Sequence, residues 1–152
     1  PVREALFQLE AEGLVLIGRV GLQAIRRARW SPRSVGGLTM GADPVAYAIA
    51  AASAAAPPRI DAFSVRKEAK THGTGRRVEG NFSAGSAVVV VEDVITTGGS
   101  ALKAIEVIRE EGGTVIGVLA VVDREEGGRA ALEAAGVDVV AITTATKLGL
   151  RA

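Results

Sequence analysis

Short apolar runs rich in valine and isoleucine alternate along this chain with segments whose apolar residues recur at helical spacing. Strands joined through helices are normally parallel, and a parallel sheet is normally covered by helices. The run at residues 86–91 is apolar without alternation, which is typical of a strand buried on both sides. The sequence therefore predicts an α/β fold, in which a parallel sheet carries helices on both faces.

Glycines and prolines mark where the predicted elements end. Strands are expected at residues 60–65, 86–91, 114–122 and 137–142, and helices at residues 3–29, 43–56, 98–111 and 128–135. Gly13, Gly18 and Gly21 weaken the first helix, which is expected to be either continuous or broken. Asp43 is expected to cap the second helix, with Pro44 in its first position.

The composition excludes several kinds of site. The 152 residues include no cysteine and one histidine, which excludes a disulfide framework and metal sites built from several such ligands. The 18 basic and 17 acidic residues nearly cancel and only five residues are aromatic, which disfavours a general nucleic-acid binder. No apolar run approaches the roughly 20 residues of a membrane helix. We expect one cytoplasmic domain over residues 1–152, with no membrane or nucleic-acid partner.

A polar segment interrupts the alternation at residues 66–84. It contains five Lys or Arg residues against two Glu residues. Loops longer than about 12 to 15 residues are uncommon inside a domain and often form binding lids. The sequence therefore predicts a flexible basic lid loop, with an ordinary solvated loop as the alternative.

The segment VVVVEDVITTGGSA, residues 88–101, places two acids at the end of a buried strand and then a glycine-rich turn before a helix. Free N–H groups at a helix start suit a phosphate, and ligands of open α/β sheets bind at the carboxyl ends of strands. Residues 96–100 can thus wrap a phosphate, while Glu92 and Asp93 bind sugar hydroxyls or Mg²⁺, directly or through water. A plain strand-to-helix connection, in which the acids cap the helix, is the alternative.

This segment resembles the phosphoribosyl diphosphate (PRPP) motif of type I phosphoribosyltransferases. VRKEAKTHGTGRRVEG, residues 65–80, resembles the basic loop of orotate phosphoribosyltransferases. GGLTMGADPVA, residues 36–46, and VVDREEGG, residues 121–128, match the same family in order. Gly41 stands at or near the place where many members carry a lysine, although some relatives share the GADP form. The resemblance spans residues 35–150.

The resemblance implies the type I phosphoribosyltransferase fold and an enzyme that transfers phosphoribosyl from PRPP to orotate. The products would be pyrophosphate and orotidine 5′-monophosphate, in pyrimidine biosynthesis. It also implies Mg²⁺ held through PRPP and water rather than by direct protein ligands, and a homodimer with shared active sites. The alternatives are transfer to another base, or a PRPP-sensing regulator with the same fold.

Residue roles follow from the same resemblance. Catalysis is expected from Asp93, Lys70 and His72. PRPP is expected to bind at Arg66, Lys67, Lys70, His72, Glu92, Asp93, Val94, Ile95, Thr96, Thr97, Gly98, Gly99 and Ser100. Orotate is expected at Thr96 and Arg124, whose guanidinium can pair with a carboxylate; a local ion pair with Asp123 is the competing interpretation. Part of the amino-terminal segment that helps to cover orotate in the family is expected to be missing before Gly13.

Overall fold

The computed structural model describes residues 2–68 and 76–150, and only the backbone of residues 2–9. Within these ranges the helices are α1 (Val2–Arg27), α2 (Ala42–Ala55), α3 (Gly99–Glu110) and α4 (Gly128–Ala134). The strands are β1 (Ser34–Leu38), β2 (Asp61–Val65), β3 (Val78–Gly80), β4 (Ala87–Ile95), β5 (Thr114–Asp123) and β6 (Val139–Thr144). Each predicted helix and strand is therefore present, with shifted ends.

The strands form one sheet in the order β3-β2-β1-β4-β5-β6. All neighbours are parallel except β2 and β3, which are antiparallel. The chain moves outward from β1 through β2 to β3 and then crosses to β4, on the other side of β1, so the winding reverses between β1 and β4. Such a reversal is where open α/β sheets bind ligands, outside the carboxyl ends of the strands.

Successive valines of β4 face two layers of helices. Val88 and Val90 pack in one core with Ile105 of α3. Val89 and Val91 pack in a second core, on the other face of the sheet, that contains residues of α1 and α2. The prediction of a parallel sheet with helices on both faces is therefore confirmed, apart from the antiparallel β3.

The first helix, α1, continues through all three of its glycines. A β-carbon on Gly18 would lie 2.3 Å from the carbonyl oxygen of Ala48 in α2, and one on Gly21 would lie 3.0 Å from the side chain of Ile49. Gly18 and Gly21 thus allow the two helices to approach closely. Packing against α2 offsets the low helix propensity of glycine, and the helix is continuous rather than broken.

The prediction of a loop throughout residues 66–84 was wrong, because residues Val78–Gly80 form β3. This strand extends the sheet beyond β2, with Val78 opposite Val65. It is three residues long and carries one buried apolar side chain, so it has no periodic pattern that a sequence could reveal. The flexibility of the remaining basic segment stays a prediction, and Lys70 and His72 lie outside the described residues.

The start of α2 also differs from the prediction. Gly41 occupies the cap position and no side chain caps the helix. Asp43 lies in the first turn, where its Oδ1 accepts a hydrogen bond of 2.8 Å from the hydroxyl of Ser64 on β2. Asp43 is therefore not the cap, because its carboxylate binds the neighbouring strand, and Pro44 is the third helical residue instead of the first.

None of the helices in residues 2–68 and 76–150 combines the length and the hydropathy that a membrane span requires.

Candidate active site

The acid pair lies within β4, which runs four residues further than predicted, to Ile95. Glu92 is 5% exposed, whereas Asp93 is exposed at the edge of the sheet. Burial, together with the smaller effect of the neighbouring Asp93 charge, raises the pKa of Glu92 from 4.5 to about 7. The two acids therefore differ in chemistry, since Asp93 faces water while Glu92 takes up a proton near neutral pH.

Glu92 also has an unused hydrogen-bonding atom. Its Oε1 is buried and has no hydrogen-bond partner within the described residues. Buried polar groups without partners are rare and costly in folded proteins, and they often mark the place of a ligand. The Glu92 side chain lines a cleft at the end of β4, so a hydroxyl group of a ligand in that cleft could complete its hydrogen bonding.

The turn after β4 presents backbone N–H groups at the start of α3. Gly98 has a left-handed backbone with φ of 83°, and α3 starts at Gly99 with no side-chain cap. The first N–H groups of a helix have no acceptor within the helix. With the helix dipole behind them, they suit an anion such as a phosphate. This geometry supports the predicted phosphate site at residues 96–100.

A cleft of about 750 Å³ opens over this turn. Of the predicted PRPP residues, the cleft is lined by Lys67, Glu92, Val94, Ile95, Thr96, Thr97, Gly98, Gly99 and Ser100. The cleft is also lined by Leu38, Lys103 and Glu106, which were not among the predicted site residues. The last two follow Gly99 by about one and two turns of α3, so helical spacing was the signal that could have revealed them.

Asp93 lies beside the cleft lining, against the segment that joins β1 to α2. A β-carbon built on Gly41 would be 3.0 Å from Oδ1 and Oδ2 of Asp93. The Asp93 Oδ1 also accepts a hydrogen bond of 2.8 Å from the N–H of Val94. The carboxylate is thus placed between the carboxyl ends of β1 and β4, where the winding of the sheet reverses.

Arg66 and Lys67 follow β2 and have different surroundings. Arg66 forms an ion pair of 3.0 Å with Glu79 of β3, and it does not line the cleft. Lys67 lines the cleft. Of the four cations expected from the basic segment, the structure brings Lys67 to the cleft and places Arg66 beside it; the other two lie outside the described residues.

The loop between β5 and α4 is attached to the turn after β4. The N–H of Arg124 donates to the carbonyl oxygen of Ile95, and the N–H of Gly128 donates to that of Thr96, each at 2.9 Å. The Arg124 guanidinium forms an exposed ion pair of 2.9 Å with Glu126. These backbone hydrogen bonds bring Arg124 close to Thr96. Thr96 lines the cleft and Arg124 does not, and the described contacts include none between their side chains.

A local ion pair of Arg124 is present, but its partner is Glu126 rather than Asp123. Asp123 is buried, and its Oδ2 instead accepts a hydrogen bond of 3.1 Å from Nε of Arg129. Both members of the Arg124–Glu126 pair are exposed to solvent. A ligand carboxylate could therefore replace Glu126 as the partner of Arg124.

Direct metal ligands are sparse in this part of the molecule. Within the described residues, no three carboxylate or histidine side chains come together in an arrangement that could hold a metal ion. Oxygen ligands from one or two carboxylates, completed by substrate phosphates and water, are the usual coordination of Mg²⁺. The exposed carboxylate of Asp93 can accept hydrogen bonds from water molecules around an ion that the substrate phosphates hold.

Comparison with known proteins agrees with this geometry. A family model described as "Phosphoribosyl transferase domain" matches residues 8–141. The orotate phosphoribosyltransferase of Aquifex aeolicus is 48% identical over 139 residues, which cover 91% of this chain and 75% of that protein.

Solved structures share the fold. The Mycobacterium tuberculosis H37Rv orotate phosphoribosyltransferase in complex with PRPP has a TM-score of 0.77 and 44% identity, covering 89% of this chain and 75% of that one. The adenine phosphoribosyltransferase of Saccharomyces cerevisiae, at 24% identity and a TM-score of 0.64 over 83% of this chain and 75% of that one, shares the fold alone. By sequence, fold and the order of its motifs, the chain belongs to the orotate phosphoribosyltransferase family.

Proposed function

We propose that this protein transfers the phosphoribosyl group of PRPP to orotate, giving orotidine 5′-monophosphate and pyrophosphate in pyrimidine biosynthesis. The observation that carries the proposal is the cleft over the end of β4, where a buried acid and a helix start line one space. A helix start suits the 5-phosphate and an acid pair suits the ribose hydroxyls. The relatives' names supply the acceptor base.

The charge distribution fits the bond changes of the reaction. Cleavage of the bond between ribose C1 and pyrophosphate leaves the electron pair on pyrophosphate and positive charge on the ribose ring. A ring nitrogen of orotate then bonds to C1 and releases its proton, which the departing pyrophosphate can accept. Carboxylates placed near that charge stabilise the transition state, so we assign this role to Asp93. Lys67, Lys70 and His72 would neutralise the negative charge of the leaving pyrophosphate. Arg66 would add a further positive charge beside them.

The proposed cofactor is Mg²⁺, bound chiefly by the substrate. When bound, it would neutralise charge on the pyrophosphate. Asp93 would accept hydrogen bonds from water around the ion, and no protein residue needs to bind it directly. Removal of Mg²⁺ with a chelator is expected to abolish transfer, and its return is expected to restore the activity.

Orotate carries a carboxylate, and Arg124 is the proposed partner for it. The exposed Arg124–Glu126 pair costs little to break in water, so an incoming carboxylate could take the place of Glu126. Thr96, on the neighbouring turn, is proposed to contact the base. Arg124→Ala is expected to raise KM for orotate much more than KM for PRPP, and equal effects on both would contradict this assignment.

The direct test is one incubation with PRPP, Mg²⁺ and equal amounts of orotate, uracil, hypoxanthine, guanine and adenine. Mass spectrometry then identifies the nucleotide that forms. Orotidine monophosphate alone is the expected product, whereas a different nucleotide would show transfer to another base. With no product, PRPP binding in a titration would favour a sensor of the same fold, and no binding would reject both functions.

A homodimer with shared active sites is part of the proposal. Mixing Lys70→Ala and Asp93→Ala subunits, each inactive alone, would regenerate one intact site per mixed dimer if the two residues serve one site from different subunits. Random exchange would then recover about a quarter of the wild-type activity. Light scattering gives the mass, and a monomer, or a dimer without recovery, would contradict shared sites.

Location in the cytoplasm and the absence of nucleic-acid partners stay predictions.

A further inference from the structure

The two ends of the basic segment meet at the edge of the sheet. The N–H of Arg66 donates to the carbonyl oxygen of Arg77 at 2.8 Å, just beyond the paired residues Val65 and Val78. Arg66 is therefore one end of a short stem and Arg77 is the other. The hydrogen bonds that fix this stem therefore determine the position of the next residue, Lys67, relative to the cleft.

The guanidinium of Arg77 crosses the stem. Its terminal nitrogen donates to the carbonyl oxygen of Lys67 at 3.0 Å and to that of Arg66 at 3.3 Å. The backbone N–H of the same arginine donates to Oε1 of Glu111, at the end of α3, at 3.3 Å. One residue thus connects the backbone of Lys67 to β3 and to the helix that forms one wall of the cleft.

Among residues 2–68 and 76–150, one donor of the Arg77 guanidinium has no acceptor, which a purely stabilising role does not explain. Its Nε is buried without a hydrogen-bond partner within the described residues. Leaving a buried donor unsatisfied costs free energy of folding, so such groups in native proteins call for a reason other than stability. Here the arrangement keeps the terminal nitrogen on two consecutive carbonyl groups, at Arg66 and Lys67.

The hydrogen bond from Arg77 fixes the backbone of Lys67. Lys67 lines the cleft, whereas the side chain of Arg66 is taken up by Glu79. A lysine side chain is long and flexible, so the position of its ammonium depends on how firmly its backbone is held. We propose that Arg77 is a positioning residue, which fixes the backbone of Lys67 so that this cation reaches the phosphates in the cleft. The inference rests on the proposed function.

Steady-state kinetics of Arg77→Ala test the proposal, with Arg76→Ala as the matched control. Arg76 is the adjacent, exposed arginine and carries the same charge in the same segment. We expect Arg77→Ala to raise KM for PRPP about tenfold, as for loss of a charged hydrogen bond, with KM for orotate nearly unchanged. Arg76→Ala is expected to change either constant less than about twofold. Equal effects of the two variants on KM for PRPP would overturn the proposal.

A double-mutant cycle with Lys67→Ala shows whether Arg77 acts through Lys67. If it does, Arg77→Ala adds little, less than about twofold, once Lys67 is alanine, because coupled residues are non-additive. Independent, multiplicative effects would overturn the proposal. Arg77→Lys keeps the charge but has one nitrogen in place of the fork, so we expect partial rescue of KM for PRPP.

Folding and function are separated by two further measurements. Thermal unfolding reports whether Arg77→Ala folds. If it does not fold, Glu111→Ala is the substitute, because it removes only the acceptor of the Arg77 N–H. We expect Glu111→Ala to raise KM for PRPP by a smaller factor than that expected for Arg77→Ala. No change in Glu111→Ala in that case would overturn the proposal. If the wild-type protein transfers phosphoribosyl to no base, the proposed function fails, and the same variants are compared by PRPP affinity instead.

Discussion

The carboxylate of Asp93 lies against the backbone of Gly41, since a β-carbon on that glycine would be 3.0 Å from each carboxylate oxygen. Gly41 itself has ordinary right-handed helical angles, φ of −60° and ψ of −41°, which any residue adopts. In this chain, glycine at position 41 therefore leaves space for the Asp93 carboxylate, and its backbone freedom is not used. The contact couples the segment after β1 to the acid that is proposed to face the ribose.

We expect Gly41→Ala to reduce activity with little loss of stability. The added methyl group requires the exposed Asp93 side chain to move by a few tenths of an ångström, which an exposed carboxylate can do at small cost to folding. The displaced carboxylate would no longer match the transition state, so kcat is expected to fall about tenfold or more. Kinetics and thermal unfolding of the same sample check this, and unchanged kcat would show that the position of Asp93 is not critical.

The pKa of Glu92 predicts a pH dependence of stability. An acid whose pKa is 4.5 when unfolded and about 7 when folded binds a proton on folding, so its contribution to stability is fully present below pH 4.5. That contribution is lost as the pH rises through 7. Glu92→Gln removes the titration, and its stability relative to wild type is expected to increase by on the order of 3 kcal/mol between pH 4 and pH 8. Urea unfolding across this range measures the difference.

Asp93→Asn is the control for the cause of that shift. Burial is the larger cause and the charge of Asp93 the smaller one. Removal of that charge is therefore expected to weaken the pH dependence without abolishing it. A wild-type stability curve parallel to that of Glu92→Gln from pH 4 to pH 8 would mean that Glu92 ionises with an ordinary pKa.

Much of the fold was predictable because β4 and β5 are apolar runs, and burial leaves a clear mark in such sequences. The strand β1, SVGGL, was not among the expected strands, because its serine and two glycines give no apolar run. The candidate site was predicted from the two acids near the end of β4 and the glycines that follow the strand. The burial difference between Glu92 and Asp93 was not predictable, because a strand covered on both faces shows no alternation that reveals which side each acid takes. The same holds for ion-pair partners, since the choice of Glu126 rather than Asp123 by Arg124 depends on side-chain geometry.

Gly128→Ala is expected to disrupt the proposed phosphate site, although residue 128 lies far along the chain from residues 96–100. A β-carbon there would lie 2.5 Å from the carbonyl oxygen of Thr96 and 2.7 Å from the backbone nitrogen of Gly98. Backbone cannot yield as a flexible side chain can, so the turn at residues 96–100 would have to shift. We expect PRPP affinity to fall about tenfold or more, measured by titration. Ala130→Ser, at an exposed position two residues later in α4, is the control and is expected to bind PRPP as wild type does. Unchanged affinity in Gly128→Ala would show that the turn can move without loss.

Arg129→Ala is expected to destabilise the protein far more than Arg124→Ala. Asp123 is 3% exposed and receives hydrogen bonds from Arg129 Nε and from the N–H of Glu125. Loss of the arginine leaves a buried charge with reduced compensation, at a cost of about 3 kcal/mol. The exposed Arg124–Glu126 pair is worth less than about 1 kcal/mol. Urea unfolding of both variants measures the contrast. Asp123→Asn in the Arg129→Ala background is expected to recover part of the loss, because no buried charge remains; equal stabilities of the two arginine variants would contradict a structural role for the Asp123–Arg129 pair.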